Sequence, residues 1–188
     1  AAGTSSFVGA GGGNVAAGSY GTFVGAGGEN KVYAAYSAIV AGYGNIVSNS
    51  TTYSFIGGGG GNLLSGMGCS VIGGGSHNVV RPPISGLGGG RAAFIGGGEN
   101  NMVSGAYGAI PGGSDNFVEG QYSAVSGGRS NIVTGYYAMA GGYGAQALHD
   151  GSWVWADAHA EPFASIASNE FAIRAAGGLR LEGRNSVG

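Results

Sequence analysis

His149, Asp150, Asp157 and His159 form the densest grouping of side chains able to do chemistry, two imidazoles and two carboxylates close together in the chain. Such groups suit zinc, but zinc sites legible in sequence have short fixed spacings, and this one matches none of them. Capping hydrogen bonds at the end of a repeat array are the plainer reading, so no metal and no cofactor are expected. Five further carboxylates, Glu29, Glu99, Asp115, Glu119 and Glu161, invite comparison with a glycosidase, which places two carboxyl groups about the scissile bond. Glu29 and Glu99 each precede an asparagine in distant repeats, as corner decoration would, and no Ser/His/Asp order or phosphate loop stands beside them. The chain is therefore expected not to be an enzyme, and no catalytic residue is assigned. Cys69 is the only cysteine, so it lacks an intrachain disulfide partner, and beside Val71 it reads as a small core residue.

Polar columns repeat where chemistry does not. Asn14, Asn30, Asn45, Asn62, Asn78, Asn101, Asn116 and Asn131 recur through the chain, with Gln146 in the ninth place. Stacked carboxamides can hydrogen-bond from coil to coil, and asparagine tolerates a left-handed backbone, so this column is expected to be a structural ladder. Tyr20, Tyr36, Tyr107, Tyr122 and Tyr136 each stand three residues before an apolar anchor. An exposed tyrosine stripe suits receptor binding, because an aromatic body with a polar tip gives contact area at low entropy cost. A stripe packed at a subunit seam is the plainer alternative. Arg81, Pro82 and Pro83 lie in the one long interval between repeats and are further candidates for receptor contact. Proline cannot supply ladder bonds, and insertions on solenoids often sit on a binding face, although an idle bulge fits equally.

These columns need a repeating scaffold to hold them. Apolar anchors at Phe7, Phe23, Ile39, Phe55, Val71, Phe94, Ile110, Val125, Met139 and Val154 recur about every sixteen residues, each followed by a glycine-rich turn, the amide, and a second apolar site two residues later. Glycine can take positive φ, so these runs are corners between short strands. The fold expected is all-β, a parallel β-solenoid or β-roll of about ten coils of 14–16 residues. Residues 1–148 form the glycine-rich roll, and 149–188 depart from the pattern as a C-terminal cap or neck in which Trp153, Trp155 and Phe163 cover the last coil. Adjacent strand residues point to opposite sides, so Val8, Val24, Val40, Ile56, Ile72 and Ile95, each one residue after an anchor, are candidates for a second apolar face toward a partner chain, and spacing alone does not say which of the two columns points inward.

Composition narrows the class. Glycine accounts for 45 of 188 residues, yet hydrophobic residues make up 43% and sit in register, which disfavours disorder. Glycine is not at every third place, which excludes collagen, and three aspartates are too few for a calcium-binding nonapeptide roll. A net charge of -2 without basic runs argues against nucleic acid as a partner. There is no apolar stretch long enough to span a bilayer. The chain opens at Ala1 without a secretion signal, which is expected to have been removed or to lie outside this sequence.

The segments Tyr36-Ser37-Ala38-Ile39, Tyr122-Ser123-Ala124-Val125, Asn116-Phe117-Val118-Glu119-Gly120 and Asn131-Ile132-Val133-Thr134-Gly135 resemble the alternating strands of the head repeat in trimeric autotransporter adhesins of the YadA type. The likeness covers roughly residues 1 to 148, with repeats a residue or two longer than that family's. The segment from His149 onward looks like those of bacterial and phage fibre proteins that precede a stalk or chaperone. The resemblance implies a homotrimer at a cell or virion surface that holds a rigid, multivalent surface toward a receptor, glycan or protein. A phage or injection-machine tail fibre, a glycan-degrading tailspike and a structural filament subunit are the alternatives.

Overall fold

The computed structural model describes residues 2–66, 68–82 and 92–182. Two parallel sheets run the length of the molecule, one of eleven strands from Phe7–Val8 to Phe171–Arg174 and one of ten from Val15–Ala16 to Phe163–Ala164. Successive strands alternate between the sheets, so every coil contributes one strand to each, and all the described strands belong to this all-β parallel solenoid of about ten turns. Most strands are only two residues long, because a coil of about sixteen residues spends the rest on corners.

The register fixes the core. Val24, Ile39, Ile56, Ile72, Ile95 and Ile110 stack in one inward column, and Val32, Val47, Leu64, Val80, Val103 and Val118 in the facing one, all fully buried. Each such side chain contributes about 1.5–3 kcal/mol by leaving water. Of the candidates for the second apolar face, Val24, Ile56, Ile72 and Ile95 are interior instead, and the anchors divide: Phe7, Phe23, Phe55 and Phe94 face out, while Ile39, Ile110, Val125 and Val154 are buried. Val40 belongs to neither column and is 43% exposed. The reason is width, since an interior lined by two side chains per coil is filled by branched aliphatic groups, while phenyl rings stand outward, with Phe23 and Phe55 beside Ala38 and Phe94 beside Ala109 of neighbouring coils.

A glycine column makes the tight corner before each ladder asparagine. Gly11, Gly27, Gly42, Gly59, Gly75, Gly98, Gly113, Gly128 and Gly142 all have φ between 86° and 111°, and a Cβ on any of them would stand 1.8–2.1 Å from a carbonyl oxygen of the next coil. No side chain fits there.

The stack does not stop at residue 148. Trp153–Ala156 pairs on one side with Met139–Tyr143 and on the other with Phe171–Arg174, and Phe163–Ala164 pairs with Ala145–Ala147. Trp153 and Trp155 point outward from this doubly paired strand, so they do not lie over the last coil, whereas Phe163 packs against the end of the core.

Candidate functional site

The asparagine ladder is the innermost polar feature. From Asn30 to Asn131 each member is buried, and its backbone N–H and Nδ2 donate to the Oδ1 of the preceding asparagine at 2.9–3.2 Å. Nδ2 also donates to the carbonyl of a column glycine one coil onward, as from Asn30 to Gly42 at 2.7 Å and from Asn101 to Gly113 at 2.8 Å. Gly-x-x-Asn is thus one device, in which the glycine turns a carbonyl toward the amide of the coil before it. The left-handed residue is the one preceding the asparagine, such as Glu29, His77 or Asp115, and not the asparagine itself. With every amide engaged inside the stack, the ladder has no ligand-facing surface. Gln146 does not continue it: Ala145 N donates to Asn131 Oδ1 at 2.9 Å, Gln146 pairs with Ile132, and Ala147 rather than Leu148 fills the core.

A second ladder runs through buried serines at the opposite corner. Ser54 N donates to Ser37 Oγ at 3.0 Å, Ser70 N to Ser54 Oγ at 3.1 Å, and Ala138 N to Ser123 Oγ at 3.0 Å. Each hydroxyl also donates to the carbonyl two residues back, Ser37 to Ala35 at 3.1 Å and Ser123 to Gln121 at 3.0 Å. This clasp encloses one residue, Tyr36, Tyr53, Cys69 or Tyr122, held with φ of 54–58° and its side chain turned outward; Tyr107 and Tyr137, followed by Gly108 and Ala138, take the same φ without a serine. In the sequence this clasp is marked by the pairs Tyr36-Ser37, Tyr53-Ser54 and Tyr122-Ser123.

Two tyrosine stacks line this corner. Tyr20, Tyr36 and Tyr53 have ring centroids 6.3 and 5.1 Å apart, and Tyr107, Tyr122 and Tyr137 have them 4.8 and 5.3 Å apart, with planes within 13° of parallel. Four of the five expected tyrosines take part. Tyr136 gives its place to Tyr137, and Tyr53 was missed because Asn45 to Asn62 is a 17-residue interval that shifts the count by one. Cys69 occupies the same corner and is exposed, not a core residue. Beside the first stack lies an open depression of about 500 Å³ lined by Tyr33, Ser48, Asn49, Ser50 and Ser65. Arg81 is half-buried and Pro82 exposed, while Pro83 lies outside the described residues.

The charged groups serve corners and the C-terminal end. Asp115 accepts from Asn100 at 3.4 Å and pairs with Arg129 at 3.4 Å on the surface. His149 Nδ1 meets Ser165 Oγ at 2.9 Å, and Asp150 accepts the N–H of Tyr136 at 2.8 Å. Asp157 instead joins His159 and Arg174, both at 3.0 Å, so the four candidate ligands split into two pairs. The Ala176 N–H, at 2.7 Å, holds the Asp157 carboxyl well below the usual carboxylate range; His159 and Arg174 add to this and outweigh its partial withdrawal from water. Arg174 lies over the Phe163 ring at 5.4 Å and donates to the carbonyls of His159 and Glu161, which ties the turn between them to the last strand. Among the described residues no three His, Cys, Asp or Glu side chains converge on a common point, and no helix is long and apolar enough to cross a membrane.

No family model matches this chain, and no curated protein does.

Proposed function

We propose that this chain is a non-enzymatic attachment rod, the head of a homotrimeric fibre or adhesin displayed on a cell or virion surface. The observation that carries this reading is the outward column of the eleven-stranded sheet. Phe7, Phe23, Phe55, Phe94, Met139, Trp153 and Phe171 remain 38–59% exposed along a rod of roughly 48 Å, taking about 4.8 Å per coil. Contiguous apolar surface on that scale calls for a partner, and a rod with one such wall is suited to side-by-side association with copies of itself. The tyrosine edge carries a polar hydroxyl on every ring and stays with the solvent, where three copies of each weak site raise avidity without new contacts. A phage or injection-machine fibre would use the same geometry.

Light scattering on the native particle over a range of concentrations tests the assembly. A constant mass of three times 18.2 kDa supports the trimer. A monomer overturns it, and open-ended species point to a filament.

A further inference from the structure

We infer that the corner formed by the Tyr20–Tyr36–Tyr53 stack and the adjoining depression is a binding site for a neutral glycan, read through phenol and serine hydroxyls and not through aromatic faces. The inference rests on the attachment reading above and names the ligand class.

The geometry of the stack decides the mode of contact. Tyr36 lies between Tyr20 and Tyr53 with planes 13° and 6° from parallel, so its neighbours take both π-faces. A sugar cannot lie flat on that ring. What Tyr36 offers at 53% exposure is a ring edge and a phenol oxygen, and Tyr20 and Tyr53 repeat the offer one coil away on either side. The result is a row of hydroxyls that both donate and accept, set about one strand spacing apart along the axis.

The depression has the same chemistry. Its lining residues, Tyr33, Ser48, Asn49, Ser50 and Ser65, carry hydroxyls and one carboxamide and no charge. Tyr33 and Ser50 are each three residues from a stacked tyrosine, Tyr36 and Tyr53, so depression and stack share one corner of the solenoid. Ser48 Oγ is buried against solvent and has no hydrogen-bond partner among the described residues. A buried hydroxyl left unpaired costs free energy that a ligand hydroxyl would recover. An uncharged lining rich in groups that donate and accept selects a polyhydroxylated ligand without charge. An anionic or cationic chain would lose its hydration here and find no counter-charge in the lining.

The test is calorimetric titration of the native assembly with neutral hexasaccharides (cello-, malto-, laminari-, manno- and chito-oligomers) and with a hyaluronan hexasaccharide as the anionic comparison. Tyr36→Phe removes one exposed oxygen and keeps the stack, and Ser48→Ala removes the unpaired hydroxyl, with circular dichroism checking the fold of both. At least one neutral oligomer is expected to bind, at least about tenfold more tightly than hyaluronan. Each variant should weaken that binding about fivefold, the worth of one neutral hydrogen bond. No binding of any neutral probe at about 10 mM, a weaker limit than any useful site, overturns the inference. So does equal binding of hyaluronan, or a Tyr36→Phe variant that binds as the native protein does, since that would mean contact through ring faces. Attachment of the particle to cells that none of these sugars competes away sinks the glycan site and leaves the attachment reading standing.

Discussion

Asn101 Nδ2 donates to Asn78 Oδ1 at 3.1 Å across 23 residues of chain, the bond that Asn45 makes to Asn30 at 3.0 Å across 15. The ladder, and not the length of chain between rungs, sets the coil. Asn78 donates to Asn62 Oδ1, Gly74 O and Gly98 O and accepts from Asn101. Asn78→Ala strands several buried groups at about 1–3 kcal/mol each, so urea denaturation should show a loss of at least about 3 kcal/mol. Asn78→Asp is expected to cost more at neutral pH, because a carboxylate would face three acceptor oxygens in place of a donor. A loss below about 1 kcal/mol for either variant would show that the ladder is dispensable.

Neighbouring glycines should respond in opposite ways. Gly98 has φ of 93°, and a Cβ there would sit 2.0 Å from Gly113 O, while a Cβ on Gly97 would meet nothing within 4 Å. Gly98→Ala is expected to prevent folding or to lower the melting temperature sharply, since the neighbouring coil cannot move without breaking its own pairing. Gly97→Ala should be neutral or stabilising by up to about 1 kcal/mol, by restricting the unfolded chain. Thermal melts of the two variants side by side decide the matter.

The period, the glycine corners and the asparagine column were legible because each repeats a residue type with a single physical use. The direction of the first-sheet strands was not. Phe7, Phe23, Phe55 and Phe94 are the largest apolar residues in their repeats and invite an inward reading, but the interior is two side chains wide and takes Val24, Ile56 and Ile95 instead. Intervals of 14 and 17 residues displaced Gln146 and hid Tyr53, because a corner absorbs one residue without moving the strands. The serine ladder went unseen since a small polar residue in a glycine-rich chain resembles filler until its partner coil is known. The tyrosine site needed stacking angles and a neighbouring depression, which no spacing encodes.

Charge placed on the outward wall should separate assembly from folding. Phe94 is 43% exposed and its strand neighbour Ile95 is fully buried. Phe94→Glu is expected to leave the far-ultraviolet dichroism of the solenoid unchanged and to reduce the particle to monomers in light scattering. Tyr122→Glu, on the tyrosine edge at 53% exposure, should keep the native mass. The reverse pattern would place the seam on the tyrosine edge.

Acid should loosen the C-terminal end before the rest of the rod. A carboxyl whose folded pKa lies below its unfolded value stabilises the fold fully above the unfolded value, about 3.9, and that contribution is lost as the pH falls through the folded one. Asp157 is such a group, held down first by the Ala176 N–H and then by His159 and Arg174. Through Arg174 it ties the turn at His159 and Glu161 to the last strand, where Phe171 meets the Trp153 ring at 4.6 Å. The chain has two tryptophans, Trp153 and Trp155, both in the strand paired with that last one, so their fluorescence reports this end alone. Titration from pH 6 to about 2 is expected to shift the emission below about pH 4, the unfolded carboxyl value, while the dichroism of the solenoid persists. Asp157→Asn should show the shifted emission already at neutral pH and no acid transition. Identical titrations of the native protein and the variant would mean that Asp157 does not hold the end of the stack.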